Sequence, residues 1–136
     1  MTDVDRDKLR RVLEAEPRVR LAVLFGSAAK RALRSRSDID VGVSFGGGDE
    51  RAQDLSVAVS RATGRPVDLV LLDSAPPLLR LEIARDGSVL VEREPHLWAE
   101  FRAHAMIDWW DWAPTARIVH DAMSRRLREE ASRGPS

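Results

Sequence analysis

The run Val19-Arg20-Leu21-Ala22-Val23-Leu24-Phe25 is almost wholly apolar, and it stops at Gly26-Ser27. Ten residues later Asp38-Ile39-Asp40 opens a second run, Ile39 to Phe45, which stops at Gly46-Gly47-Gly48. Short apolar runs closed by glycine read as buried strands of one sheet. Whatever the chain folds into must therefore hold a glycine-serine turn and a pair of aspartates at the ends of core strands.

The rest of the chain supplies elements to cover such a sheet. Val4 to Glu16 predicts an amphipathic helix with Val4, Leu9, Val12 and Leu13 apolar, Asp3 as N-cap and Pro17 as its end. A turn and a short helix over Ser27 to Leu33 are expected next. Asp49 then caps a helix from about Glu50 to Thr63, in which Leu55, Val59 and Ala62 share a face. Pro66 to Leu72 reads as a third strand, Pro77 opens a helix to about Ala84, and Asp86-Gly87 turns the chain into a fourth strand, Ser88 to Glu92. Beyond Pro95, Trp98, Phe101, Ala105 and Trp109 recur at helical spacing, and Pro114 is expected to break that helix. Val119, Met123 and Leu127 mark a last one, and Ala131 to Ser136 is expected to be disordered. The fold class is thus α/β (α+β): a small mixed β-sheet flanked by helices, with a C-terminal helix pair. With 136 residues, 43% of them hydrophobic, the chain can bury one core and not two. One domain over residues 1–136 is expected, its core at about 19–92 and its C-terminal helices at about 95–130.

Composition narrows the chemistry. Twenty-two basic residues balance twenty-two acidic ones, which argues against affinity built on neutralising many nucleic-acid phosphates. Without cysteine there is no disulfide, no thiolate nucleophile and no Cys-ligated metal. No apolar stretch reaches the roughly 18 residues of a membrane span, and Met1 to Arg11 lacks a secretory pattern. A cytoplasmic protein without a membrane partner is expected.

The chemistry gathers around Gly26-Ser27 and the aspartates. Residues two apart on a strand share a face, so Asp38 and Asp40 project together while Ile39 turns into the core. Two carboxylates held that close call for a cation, and magnesium suits them: it is hard, prefers carboxylate oxygen and is commonly shared with nucleotide phosphates. Glycine lets the Gly26-Ser27 backbone approach a ligand closely, and the Ser27 hydroxyl with the N–H groups of a helix start can hold phosphate oxygens. If one ion is to activate an acceptor hydroxyl while a second grips a triphosphate, a third carboxylate is needed. Asp68, between Val67 and Leu69, is the candidate, because a charge in a central strand is costly without a partner. The structural alternatives are an edge-strand residue or an ion pair with Arg65 for Asp68, and a strand-capping turn pair for Asp38 and Asp40. Lys30, Arg31, Arg34 and Arg36 lie between turn and carboxylates, placed either to screen phosphates or to form a solvated loop. His96, His104 and His120 show no metal-ligand spacing, and Gly46-Gly47-Gly48 lacks the Gly-Lys-Ser/Thr of a Walker loop. Trp109, Trp110 and Trp112 cannot all face one core from a single helix, so an exposed indole and a binding surface are expected.

Gly26-Ser27, ten residues, Asp38-Ile39-Asp40 and the downstream Asp68 together resemble the minimal nucleotidyltransferase group of the DNA polymerase β superfamily, over roughly Leu21 to Glu92. The resemblance implies the polymerase-β-like nucleotidyltransferase fold. It also implies two Mg2+ ions on Asp38, Asp40 and Asp68, and ATP as substrate at Gly26, Ser27 and Lys30. Lys30-Arg31 stands where members of the group often carry Arg-Gly, and Lys30 keeps a positive charge beside the phosphates. Proteins of this group and length often act as antitoxins of HEPN-domain ribonuclease toxins, some by transferring AMP to a toxin tyrosine. Ala75-Pro76-Pro77-Leu78-Leu79-Arg80 through Asp86-Gly87 resembles these antitoxins as well. The expectation is a protein adenylyltransferase with a cognate HEPN toxin as partner and self-association through the Trp-rich C-terminal region. The alternatives are an antitoxin that occludes its partner without catalysis, and a small-molecule (aminoglycoside-type) nucleotidyltransferase.

Overall fold

The computed structural model of the chain describes residues 3–26 and 39–133. Its elements run α1 (Asp3–Ala15), β1 (Val19–Phe25), β2 (Ile39–Phe45), α2 (Ala52–Thr63), β3 (Val67–Leu71), a 3-10 turn (Leu72–Ser74), α3 (Pro77–Asp86), β4 (Ser88–Glu92) and α4 (Leu97–Arg133). The expected short helix over Ser27 to Leu33 lies outside the described residues. The sheet has four strands in the order β3-β2-β1-β4. β1 runs antiparallel to β2 and to β4, and β2 runs parallel to β3. That parallel pair needs a crossover, which α2 supplies.

Strand alternation divides the core into two halves. On one face Ala22 and Leu24 of β1 and Ile39, Val41 and Val43 of β2 pack against Leu9 and Leu13 of α1 and Leu55 and Val59 of α2. On the other, Leu21, Val23 and Phe25 meet Leu72, Ile83 and Ala84 together with Phe101 and Ala105 of α4. Arg6 Nη2 ties α1 to β4 by donating to Ser88 Oγ at 2.7 Å. Arg93 donates to the carbonyls of Glu14, Glu16 and Val19, pinning the turn between α1 and β1. The second face has room for the fully buried Leu72 of the 3-10 turn because β2 carries a glycine there: a Cβ on Gly42 would run into the Leu72 side chain. Gly42→Ala is therefore expected to lower the urea midpoint, at a cost of about 1–3 kcal/mol typical of an overpacked core. An unchanged midpoint would show that Leu72 repacks freely.

Three expectations are corrected. Pro114 was expected to separate a helix pair, yet α4 is one helix with Pro114 inside it. An interior proline forfeits the hydrogen bond to the carbonyl four residues earlier. Here that is Trp110, on a stretch open enough for water to replace the missing donor, since Trp110 is 75% exposed. The same helix carries Ala131 to Arg133, so the disorder expected from Ala131 does not begin there, and the remainder of that segment lies outside the described residues. Finally, α2 starts at Ala52 with Arg51 as N-cap and no side-chain cap bond. Glu50 instead accepts from Arg18 at 2.8 Å. No helix among the described residues is long and apolar enough to cross a membrane.

Candidate active site

Asp40 sits on β2 between Ile39, which is fully buried toward α1 and α2, and Val41, which faces the same way. The Asp40 side chain therefore emerges on the α3 side of the sheet. In the parallel ladder Asp40 is the direct register partner of Asp68, and in the antiparallel ladder it is the partner of Phe25. Aligned residues of neighbouring strands share a face at a strand spacing of about 4.8 Å, so the two carboxylates stand side by side. Gly26 follows Phe25 with φ +76°, a left-handed conformation that glycine adopts at little cost. A Cβ built on Gly26 would run into the Asp40 carboxylate. The glycine thus meets two demands at once, the turn out of β1 and the space that Asp40 fills.

These groups line a cleft of about 380 Å³ bounded by Phe25, Gly26, Asp40, Asp68, Val70, Leu79, Glu82, Arg85 and Asp86. Of the residues predicted for the site, the structure brings Gly26, Asp40 and Asp68 together. Ser27, Lys30 and Asp38 lie outside the described residues, as do Arg31, Arg34 and Arg36. Asp68 is not the buried charge of a central strand: β3 is a sheet edge and Asp68 is exposed. Its carboxylate reaches the cleft without a large desolvation cost. Arg65, the alternative partner for Asp68, pairs with Asp5 at 3.6 Å.

The wall opposite the sheet went unread in the sequence. Leu79, Glu82 and Asp86 recur at helical spacing on α3 and face the carboxylates across the cleft. Asp86 passed as a turn residue before Gly87, whereas α3 extends through it and the turn falls on Gly87. There a Cβ would lie 2.5 Å from both the Ile83 carbonyl oxygen and Val23 Cγ1. The signal available was the placement of Glu82 and Asp86 one and two turns beyond Leu79 on a helix leading away from the Asp68 strand. His96, His104 and His120 take no part in the cleft, and no group of three or more metal-ligating side chains occurs among the described residues. The donor chemistry nevertheless suits a hard divalent cation: two neighbouring carboxylates, one beside a glycine that leaves room for the group.

A search of curated proteins returns no match. Solved structures do match. A chain of a toxin-antitoxin crystal structure with AMP-PNP superposes with a TM-score of 0.75 at 26% identity, covering 87% of this chain and 98% of that one. A chain of the MntA-HepT toxin-antitoxin structure gives 0.72 at 25%, covering 90% and 99%. So does a chain from the tri-AMPylated Shewanella oneidensis HEPN toxin in complex with MNT antitoxin, with the same identity and coverage. The sequence itself matches the polymerase beta nucleotidyltransferase family over residues 7–96, a span containing every strand, most of α1, all of α2 and α3 and the whole cleft. This chain belongs to the polymerase beta nucleotidyltransferase family.

Proposed function

We propose that the protein transfers AMP from ATP to a hydroxyl of a cognate HEPN-domain toxin, and that this modification is how it acts as an antitoxin. The observation that carries the reading is the alignment of Asp40 with Asp68 at the mouth of a cleft that begins at the Gly26 turn. Family membership, the AMP-PNP complex and the AMPylated HEPN toxin among the structural relatives support it. The chain contains no tyrosine, so a tyrosine acceptor must come from another protein, as a modifier acting in trans requires.

In this reading Asp40 and Asp68, with Asp38, hold two Mg2+ ions, and these supply charge neutralisation at the triphosphate and a more acidic acceptor hydroxyl. The rest falls to the chain. Gly26, Ser27 and Lys30 hold the phosphates at the end of β1. Phe25, Val70 and Leu79 offer apolar surface on which a nucleoside can shed water. Glu82, Arg85 and Asp86 on α3 form the wall beside which the acceptor enters. The acceptor oxygen attacks the α-phosphorus in line, the bond to the bridging oxygen breaks, pyrophosphate leaves and the hydroxyl proton passes to water. Residues 1–136 act as one domain, and a second copy of this chain is a further partner, met through the Trp-rich C-terminal region.

The direct test is incubation of the protein and its cognate HEPN partner with labelled ATP. A labelled partner, with a mass gain of AMP per site, is the expected result, and an unlabelled partner that is still neutralised would replace catalysis with occlusion. Nucleotide binding gives a second check. Titration calorimetry is expected to show ATP affinity at least about tenfold higher with magnesium than without, because unscreened carboxylates repel the triphosphate. Equal affinities would remove the metal from the account.

A further inference from the structure

Helix α4 outruns the domain it belongs to. Its first turns are covered, with Phe101 and Ala105 in the core, Trp98 stacked on Phe101 at 5.7 Å and Arg80 bound to Asp108. Past Ala113 nearly every described side chain is exposed, through to Glu130. The apolar stripe does not stop with the cover: Trp109, Trp112, Met123 and Leu127 continue the face of Phe101 and Ala105 at helical spacing. Trp109 and Trp112 stand 5.6 Å apart. With Leu78 of α3, Ala113 and Met123 they line an apolar groove of about 530 Å³. Leu78, Trp112, Met123 and Leu127 are 49%, 39%, 60% and 62% exposed. A lone helix in water is marginal without such a face being packed.

The charges on α4 indicate what covers it. The domain-proximal half is net acidic, with Glu100, Asp108 and Asp111 against Arg102, and the distal half is net basic, with Arg117, Arg125, Arg126, Arg128 and Arg133 against Asp121, Glu129 and Glu130. A parallel second helix of the same sequence would set like against like; an antiparallel one sets acid beside base. We propose that the occupant is a second copy of this chain, its α4 laid antiparallel along the first in a two-fold interface. Trp112 then faces Met123 of the other copy, and Trp109 faces Leu127. The side chains of Asp108 and Asp111, on one flank of the stripe, come alongside Arg126 of that copy. Both ends of the contact are the same surface, as a closed dimer requires. The two-fold axis falls between Arg117 and Ile118. Leu78 is available to the tip of the incoming helix. The groove shares no residue with the Asp40–Asp68 cleft, so the dimer leaves both clefts open. This deepens the self-association reading given above and is independent of AMP transfer.

Sedimentation of the full chain at about 1–200 µM, a range that brackets a micromolar Kd, tests the idea. The expected result is a monomer–dimer equilibrium. Trp112→Glu and Met123→Glu each weaken it at least about tenfold, as loss of an apolar anchor does, with circular dichroism and thermal midpoint little changed for Met123→Glu. Asp111→Lys and Arg126→Glu each weaken it several-fold, and the two together recover most of the loss, the signature of a direct pair. A chain that stays monomeric throughout overturns the proposal, as does a dimer indifferent to all four substitutions. A monomer whose HEPN complex is abolished by Met123→Glu assigns the face to the toxin instead. Labelled AMP transfer, measured on the same samples, reports separately on the catalytic proposal.

Discussion

Asp40→Asn lowers AMP transfer by at least about a hundredfold, the scale of losing one preorganised electrostatic group at a reacting phosphate. The substitution keeps the shape of a side chain seated between Gly26 and the Asp68 register position, and it removes the charge that makes the pair attractive to a cation. Because Ile39 and Val41, the residues on either side, carry the packing, the thermal midpoint is expected to stay within a few degrees of the parent. Transfer retained at more than a tenth of the parent rate would place the reacting centre elsewhere. The same variant separates the two antitoxin readings in cells. Loss of protection at ordinary expression is expected if modification neutralises the toxin, and retained protection would show that binding suffices.

Gly26→Val is expected to lose both stability and transfer. At φ +76° a β-branched residue meets its own backbone, at about 1–2 kcal/mol for the left-handed conformation alone, and its Cβ runs into the Asp40 carboxylate. Relief of either conflict moves Asp40 away from Asp68 or opens the end of β1. A transfer loss of about a hundredfold, with the urea midpoint shifted by at least about 2 kcal/mol, follows from the two costs together. Gly26→Ala is the finer instrument, since it creates the clash with less backbone strain. If Gly26→Ala transfers AMP within about threefold of the parent, the close approach of Gly26 to Asp40 has no part in catalysis.

The legible parts of this fold are those where one local rule meets no competition. Val19 to Phe25, Ile39 to Phe45 and Ser88 to Glu92 were read with the bounds they have, because apolar runs closed by Gly or by a charged turn leave little choice. Of the residues that line the cleft, Gly26, Asp40 and Asp68 were singled out from the sequence, since alternation along β2 puts Ile39 in the core and so forces its neighbour Asp40 outward. What escaped depended on tertiary context. Strand order made β3 an edge, which no property of Val67 to Leu71 states, so the cost expected at Asp68 was never incurred. Glu82 and Asp86 gained their place because Ile83 and Ala84 of α3 pack against Leu21, Val23 and Phe25 of β1, a contact between residues far apart in the chain. Pro114 was misread because proline's helix penalty was weighed alone, without the solvent that supports the surrounding turn.

Helix α3 has a consequence for communication across the molecule. Of two consecutive residues, Leu78 lines the groove under α4 and Leu79 lines the Asp40–Asp68 cleft, and among the described residues α3 is the only element that borders both. Two ligands that share no contact can influence each other only through a body that each of them biases. Any coupling free energy between nucleotide and whatever covers α4 has this short helix as its most direct route. It is also reciprocal: if occupancy of the groove tightens nucleotide binding by some factor, nucleotide tightens occupancy of the groove by the same factor. If the proposed nucleotide site and the proposed α4 contact are both occupied, the ten residues from Pro77 to Asp86 place the two binding events within one thermodynamic cycle.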